Sequence, residues 1–232
     1  MASHFGAIGF AVVTAEEYEA LGVLAGSVGK AHGDEEQTYV RWEAGTGVEI
    51  WAQADRGTKK IKGLTPYFAS GEAALDGTIE RVDPHPKRLH EGSIALVPTG
   101  DERRAALAGV PVTLPDFRLA LPRLAPRAPA RMSLAAFAHA FEVLESEKAL
   151  GDSGLAPGMM LRAAQGLALA TGRVVRSDVR TNPSGRREFV WALLAVQGGT
   201  LDVLLDPVLR DTPLEEGQVC RGVFWLSGRL SA

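Results

Sequence analysis

The chain has 232 residues, of which 46% are hydrophobic and 23% are charged, and its formal net charge is −3. This composition is typical of a globular protein with a core, and it excludes a strongly basic chain that binds nucleic acid over its whole surface. The sequence contains one cysteine, Cys220, so no disulfide can form within the chain. We therefore expect a reducing compartment, the cytoplasm. The abundant Ala, Gly and Arg suggest a GC-rich bacterial genome.

Membrane association is not expected, because no apolar stretch approaches the roughly 18 to 20 residues that span a bilayer. The apolar run from His4 to Val13 lacks a basic segment before it, so it predicts a strand rather than a signal peptide. Thr14 and Glu17 have the spacing of a capping box. We therefore predict a helix from about Ala15 to Val28.

A β-hairpin is the best-specified local structure of the sequence. The segments Tyr39–Ala44 and Val48–Gln53 flank Gly45-Thr46-Gly47. The predicted register matches apolar side chains on one face, and it pairs Ala44 with Val48, Trp42 with Ile50, and Val40 with Ala52. The opposite face then carries Tyr39, Arg41, Glu43, Glu49, Trp51 and Gln53.

Three further strands are expected before residue 119, around Leu64–Phe68, Thr78–Val82 and Ser93–Val97. The proline-rich segment Leu119–Met132 favours extended structure, because each proline removes a backbone donor. We predict an α+β domain over residues 1–119 with a βαβββ start, a linker over 120–132, and an all-β domain over 133–232.

The C-terminal part is predicted to be mostly strands, namely Leu167–Arg180, Arg187–Gln197, Thr200–Asp206 and Gln218–Leu230. The dipeptide Gly198-Gly199 predicts a hairpin that pairs Val196 with Leu201 and Leu194 with Val203. Residues 134–150 fit a helix and a strand; we favour a strand to about Val143 and then a helical turn. The predicted fold class is α+β and mostly antiparallel β, a curved sheet with one helix followed by a small barrel.

Three resemblances accompany this pattern. The strand, helix and three strands over His4–Phe68 resemble a half-module of the glyoxalase, or vicinal-oxygen-chelate, superfamily. That resemblance implies metal-dependent chemistry with His4 as a ligand, although the family's glutamate on the fourth strand is replaced here by Tyr67 and Phe68. The strand series over 134–230 resembles an OB-type barrel, which implies oligonucleotide binding, although a fold alone does not fix function.

The third resemblance covers most of the chain and is to a family of uncharacterised bacterial proteins. It rests on three segments, namely Tyr39-x-Arg41-Trp42 with Glu49-x-Trp51, Ala135-Ala136-Phe137-Ala138-His139, and the ending Phe224-Trp225-Leu226-Ser227-Gly228-Arg229-Leu230. This resemblance implies no particular activity.

The polar face of the hairpin is the predicted ligand surface. The predicted register places Glu43 directly opposite Glu49, and like charges in that position are destabilising. A bound cation or a shared proton would relieve the repulsion. Alternatively, solvent screens the pair and Arg41 stacks on Trp51 or bridges a glutamate. The candidate ligand-binding residues are Tyr39, Arg41, Glu43, Glu49, Trp51 and Gln53.

Other candidate residues have simple structural interpretations. His85 and His90, with Asp83 and Glu91, form either a loose metal cluster or a solvated loop, because their spacing fits no compact zinc site. His139 is a general base or a histidine at the core edge. Cys220 is predicted to point inward as a small hydrophobic residue.

The sequence predicts a non-enzymatic protein that binds a small ligand or a protein. A metal-dependent enzyme of the vicinal-oxygen-chelate type and a single-strand nucleic-acid-binding barrel are the alternatives. In the last case Trp191 or Trp225 would stack a base beside the arginines, which are Arg173, Arg176, Arg180, Arg186 and Arg187. No cofactor is predicted, and no catalytic residues are assigned.

Overall fold

A computed structural model of the chain describes residues 3–33, 37–55, 61–88, 90–100, 109–152 and 154–231. The strands are β1 (Lys30–Gly33), β2 (Gln37–Gly45), β3 (Val48–Asp55), β4 (Ile61–Phe68), β5 (Leu75–Pro84), β6 (Gly92–Pro98), β7 (Val110–Thr113), β8 (Pro129–Leu144), β9 (Met160–Arg162), β10 (Ala168–Asn182), β11 (Arg187–Val196), β12 (Gly199–Leu205) and β13 (Val219–Leu230). The helices are α1 (Ala15–Val28), α2 (Phe117–Ala120) and α3 (Glu147–Asp152). The predicted class, α+β and mostly antiparallel β with curved sheets, is confirmed.

The strands form two sheets. The smaller sheet has the order β1-β2-β3-β4, and the larger has nine strands in the order β11-β12-β8-β5-β6-β7-β13-β10-β9. Two pairs in the large sheet are parallel, β12 with β8 and β13 with β7, and the other pairs are antiparallel. The long strands β8 and β13 pair along most of their length, from Met132 with Leu230 to Leu144 with Val219.

In the large sheet, following the strand pairs from neighbour to neighbour leads back to the starting strand along two closed paths, and both paths include β8 and β13. One path runs through β10, β11 and β12, and the other through β5, β6 and β7. Closed pairing of this kind leaves few exposed strand edges. The resemblance to an OB-type barrel stays a prediction.

The alternation of side chains along the large sheet builds two separate cores. On β8, Leu134 and Ala136 face the core enclosed by the sheet, whereas Ala135 and Phe137 face the small sheet. Successive residues of a strand point to opposite faces, so one strand supplies both cores. The second core lies between the two sheets and includes both large buried tryptophans, Trp51 and Trp191.

The predicted helix and most of the predicted hairpin register are confirmed. Helix α1 spans the predicted residues, and Thr14 and Glu17 form the reciprocal capping box. In the hairpin, Trp42 pairs with Ile50 and Glu43 with Glu49. The predicted pair Ala44 and Val48 is wrong: an irregularity after Glu43 places Gly45 opposite Val48.

The predicted strand over His4–Val13 is wrong. Residues Gly6–Ile8 form a 3-10 helix that ends at Gly9, whose φ of 77° is left-handed. Side chains rather than a neighbouring strand bind this backbone: Asn182 Nδ2 donates to the Ile8 carbonyl at 2.7 Å, and the Ser3 N–H donates to Asp206 Oδ2 at 3.0 Å. Because its backbone groups find these partners, the apolar run packs on the large sheet without joining it.

Strand β8 confirms the strand interpretation of residues 134–143, and α3 supplies the helical turn that follows. The predicted pairs at the second hairpin are wrong by two residues, since Val196 pairs with Gly199 and Leu194 with Leu201. The turn residues are Gln197 and Gly198, not the two glycines. A shift of two residues keeps every side chain on its predicted face.

The proline-rich segment contains α2, a 3-10 turn over Leu121–Arg123 and the first residues of β8. Strands on both sides of it, β5 to β7 and β8 to β13, belong to the same nine-stranded sheet. The division into domains at residues 119 and 133 stays a prediction. Within the described ranges, no helix is both long and apolar enough to cross a membrane.

Candidate functional site

The polar face of the first hairpin lies against the large sheet. The six predicted ligand residues lie together on this face of β2 and β3, as the register requires. Tyr39, Glu49, Trp51 and Gln53 are buried, Arg41 is half-buried and Glu43 is exposed. Both faces of the hairpin are therefore covered, one by α1 and the N-terminal segment and the other by the large sheet.

Arg41 bridges the two opposing glutamates. Its Nη2 lies 3.1 Å from Glu43 Oε1 and 2.5 Å from Glu49 Oε1. The other oxygen of Glu49 accepts the indole N–H of Trp51 at 2.7 Å. A guanidinium between two carboxylates removes the like-charge repulsion, so neither a bound cation nor a shared proton is needed for that purpose.

Arg229 joins this network to the large sheet. Its Nε donates to Asp116 Oδ2 at 3.2 Å, and its Nη1 lies 3.6 Å from Glu49 Oε2. The guanidinium also lies over the rings of Trp51 and Tyr67, at 5.0 and 5.8 Å from their centroids. Sequence reasoning did not assign a role to Arg229, although it belongs to the quoted C-terminal segment.

The two tyrosines of this region are held by backbone groups. The Tyr39 hydroxyl donates to the His90 carbonyl at 2.6 Å and accepts the Arg118 N–H at 3.0 Å. The Tyr67 hydroxyl donates to the Ser133 carbonyl at 3.3 Å, and burial raises the pKa of Tyr67 to about 12. Burial also raises the pKa of Tyr39. Both side chains are therefore neutral hydrogen-bonding groups at physiological pH.

A cleft of about 420 Å³ opens beside the network, between β4 of the small sheet and the part of the large sheet formed by β6, β7 and β13. Its volume is within the usual range for a site that binds a small molecule. Trp225 and Tyr18 supply aromatic surface. The polar lining consists of Gln53, Lys62, Thr65, Asp83, His85, Arg88, Glu91, Ser93 and Thr113.

The acidic groups of the cleft are already paired with arginines. Arg81 Nε lies 2.5 Å from Asp83 Oδ1, and Arg88 Nη1 lies 2.9 Å from Glu91 Oε1. In the loop between β5 and β6, the backbone N–H of His85 donates to the Glu91 carbonyl at 2.9 Å. Across the described segments, no three His, Cys, Asp or Glu side chains are close enough to hold a metal ion. The cleft therefore combines polar groups of both signs without a strong net field.

His4 and His139 form a pair that the sequence did not predict. Their Nε2 atoms are 2.7 Å apart, and the His4 ring stacks on Trp225 with centroids 4.4 Å apart and an interplanar angle of 11°. Burial, and secondarily the charge of His139, lower the pKa of His4 to about 4. His4 is therefore neutral at pH 7, and its ring supports the Trp225 wall of the cleft.

The arginines considered for nucleic-acid binding are mostly engaged within the protein. Arg173 pairs with Glu147, and Arg176 lies 3.3 Å from Glu72. Arg180 lies over Trp191, 3.8 Å from the ring centroid. Trp191 is fully buried and donates its indole N–H to Asp202 at 2.7 Å, so its ring has no face free for a base.

Cys220 is buried in the core enclosed by the large sheet, as predicted. Burial raises the pKa of its thiol to about 11. The thiolate population at neutral pH is consequently very small, which disfavours a nucleophilic role.

Comparison of the chain with models of known protein families, with curated proteins and with solved structures found no match. The sequence did not predict the cleft because its walls come from distant segments. Gln53 and Thr113 are brought together only when the small sheet packs on the large one. The sequence signal near it is the proline-flanked loop Asp83-Pro84-His85-Pro86.

Proposed function

We propose that this chain is a non-enzymatic binding protein that holds a small polar ligand in the cleft between its two sheets. The observation that supports the proposal is the cleft itself, in which nine polar side chains from both sheets and from the loop between β5 and β6 surround a volume of about 420 Å³. A concave site with several converging polar groups is where proteins most often bind small molecules.

The charges of the cleft favour an uncharged or zwitterionic ligand. Asp83 and Glu91 are neutralised by arginines, so a strongly cationic ligand finds no unpaired carboxylate there. Arg88 is in turn occupied by Glu91, which disfavours a polyanion. Trp225 adds an aromatic wall on which a flat ring or the apolar face of a sugar can pack. Nucleosides, sugars and amino acids have this combination of properties.

A thermal-shift screen with nucleosides, sugars and amino acids tests the proposal. At about 100 times its Kd, a bound compound adds about 2.7 kcal/mol to the free energy of unfolding, which raises Tm by roughly 5 to 10 °C. The variant Ser93→Trp places a bulky ring in the cleft and is expected to abolish the shift. Val208→Trp is the matched control, because Val208 is 70% exposed and does not line the cleft.

Two outcomes would contradict the proposal. One is the absence of any shift with all three compound classes at millimolar concentration. The other is an undiminished shift in a folded Ser93→Trp protein, which would move the binding site away from the cleft.

A metal-dependent enzyme is the second candidate, and it would use the two histidine rings that the fold brings together, His4 and His139, which are hydrogen-bonded to each other here at 2.7 Å. Imidazole is the commonest ligand for zinc and copper in proteins. Elemental analysis of protein purified without chelator tests it. Stoichiometric metal that disappears in His139→Ala would support this candidate, and metal-free protein would reject it.

A further inference from the structure

Helix α1 carries apolar side chains on both of its faces. Leu21 and Ala25 are buried against the small sheet. Away from the sheet Val23 is 71% exposed and Leu24 44%, and Val28, the last residue of the helix, is 53% exposed. A helix that covers one sheet normally has a polar outer face, whereas a helix with apolar residues all round is normally covered on both sides.

The exposed apolar side chains of the protein are concentrated at this helix. Eight large hydrophobic residues are exposed in the described parts of the chain; Val23, Leu24 and Val28 belong to this helix, and Val13 precedes its N-cap. Single exposed hydrophobic residues scattered over a surface need no explanation, but Val23 and Leu24 are adjacent and form one apolar patch, and such patches mark interaction surfaces.

We propose that two copies of this chain associate through the outer face of α1, with the two helices antiparallel about a twofold axis near Val23 and Leu24. Residues separated by three, four or seven positions share one helix face. The outer face therefore consists of Glu16, Ala20, Val23, Leu24 and Ser27. Its two small residues allow the helix backbones to approach closely around the central Val23 and Leu24.

The distribution of charge favours a second copy in this orientation. The helix begins with acidic residues, Glu16 and Glu19, and Lys30 follows its C-terminal end; all three side chains are exposed. An antiparallel arrangement centred between Val23 and Leu24 places Glu16 of one copy near Lys30 of the other, at both ends of the seam. A parallel arrangement would place glutamates against glutamates. The antiparallel arrangement also opposes the two helix dipoles favourably.

Sedimentation velocity over 1 to 200 µM protein tests the proposal. We expect the wild-type chain to reach twice its monomer mass of 24.6 kDa. The double variant Val23→Lys/Leu24→Lys puts four charges into the seam of the dimer, and it is expected to raise the dimer Kd roughly 100-fold or more. Val208→Lys, at another exposed valine, is the control and should leave the Kd unchanged.

Charge reversal tests the orientation separately. Glu16→Lys and Lys30→Glu should each weaken the dimer several-fold, and the combined variant should recover the wild-type Kd because the pair is restored with opposite signs. These side chains are exposed, so the near-ultraviolet circular dichroism of every variant should match that of the wild type. A wild-type chain that stays monomeric at 200 µM would overturn the proposal, as would a dimer that the Val23→Lys/Leu24→Lys variant does not weaken.

Discussion

The hairpin face and the cleft meet at Gln53, and they differ in whether their polar groups are covered or border open volume. On the hairpin face, the buried Glu49 pairs with Arg41 and with Arg229 of β13, so its charge is used within the protein. In the cleft, Asp83 and Glu91 are also paired with arginines, but these side chains border open volume. A polar strand face predicted from a sequence is therefore either a surface open to a ligand or a buried ion-pair network, because a second sheet can cover it. If the first region maintains stability and the second only binding, substitutions in the first should lower the free energy of unfolding more than substitutions in the second.

The largest expected loss of stability comes from substituting Glu49, and the loss for Glu43, which faces it on the hairpin, should be much smaller. Glu49→Ala leaves Arg41, Arg229 and the Trp51 indole N–H without their shared acceptor. Breaking a buried ion pair costs about 3 to 5 kcal/mol. Because both arginines keep some solvent contact, we expect a loss of about 3 kcal/mol in the free energy of unfolding, measured by urea denaturation.

Glu43→Ala is the matched control for that substitution. The Glu43 side chain is 64% exposed, so its removal should change the free energy of unfolding by less than about 0.5 kcal/mol. Equal losses for the two variants would show that the network is not the stabilising feature of the hairpin face.

The next largest loss of stability is expected on acidification, and it comes from His4, which packs behind the Trp225 wall of the cleft. The pKa of His4 is lowered from 6.5 to about 4, mainly by burial. Between these values the unfolded chain binds more protons at this position than the folded chain, so stability falls as pH decreases from about 6.5 toward 4. The loss should approach about 2 to 3 kcal/mol, from 1.36 kcal/mol per pKa unit.

His4→Phe removes the titrating group but keeps a ring to stack on Trp225. Urea denaturation at pH 7 and pH 4.5 should therefore show a smaller loss of stability on acidification in His4→Phe than in the wild type. Identical pH dependence in the two proteins would mean that His4 is not the group responsible.

The sequence determined much of this architecture because the relevant patterns are local. The capping box of Thr14 and Glu17 and the matched apolar faces of the first hairpin need no information from the rest of the chain. The prediction of a strand over His4–Val13 was wrong because the structure of this segment depends on distant residues. Asn182 and Asp206 lie about 175 and 200 residues away and bind its backbone.

The candidate site was predicted less well than the fold, for a related physical reason. Strand alternation placed Arg41, Glu49 and Trp51 on one face correctly, but alternation does not reveal what covers that face. Arg229 and Asp116 complete the network from the far end of the chain and from the segment before α2. The long-range packing of one sheet on another also creates the cleft, so neither feature has a signature at any single position.

A smaller stability difference should separate the tryptophans of the two regions. Trp51 is buried and donates its indole N–H to Glu49, so Trp51→Phe should cost about 2 kcal/mol from lost packing and a lost hydrogen bond to a charged group. Trp225 is only partly buried and donates to Thr113 at 3.1 Å. Trp225→Phe should therefore cost less than about 1 kcal/mol, again by urea denaturation. A reversed order would place the stabilising contacts at the cleft wall.

The same two variants differ in a spectroscopic property that requires no change in stability. Trp51 and Trp191 are buried, whereas Trp225 borders the cleft and Trp42 is partly exposed. Acrylamide quenching of tryptophan fluorescence should therefore decrease in Trp225→Phe, because an accessible emitter is lost, and should increase slightly in Trp51→Phe, because a protected one is lost. Both substitutions remove one of four tryptophans, and the quenching of each variant is normalised to its own unquenched emission before the comparison. Equal quenching in the two variants would mean that small solutes do not reach Trp225, and a cleft closed to acrylamide would also be closed to the ligand proposed for it.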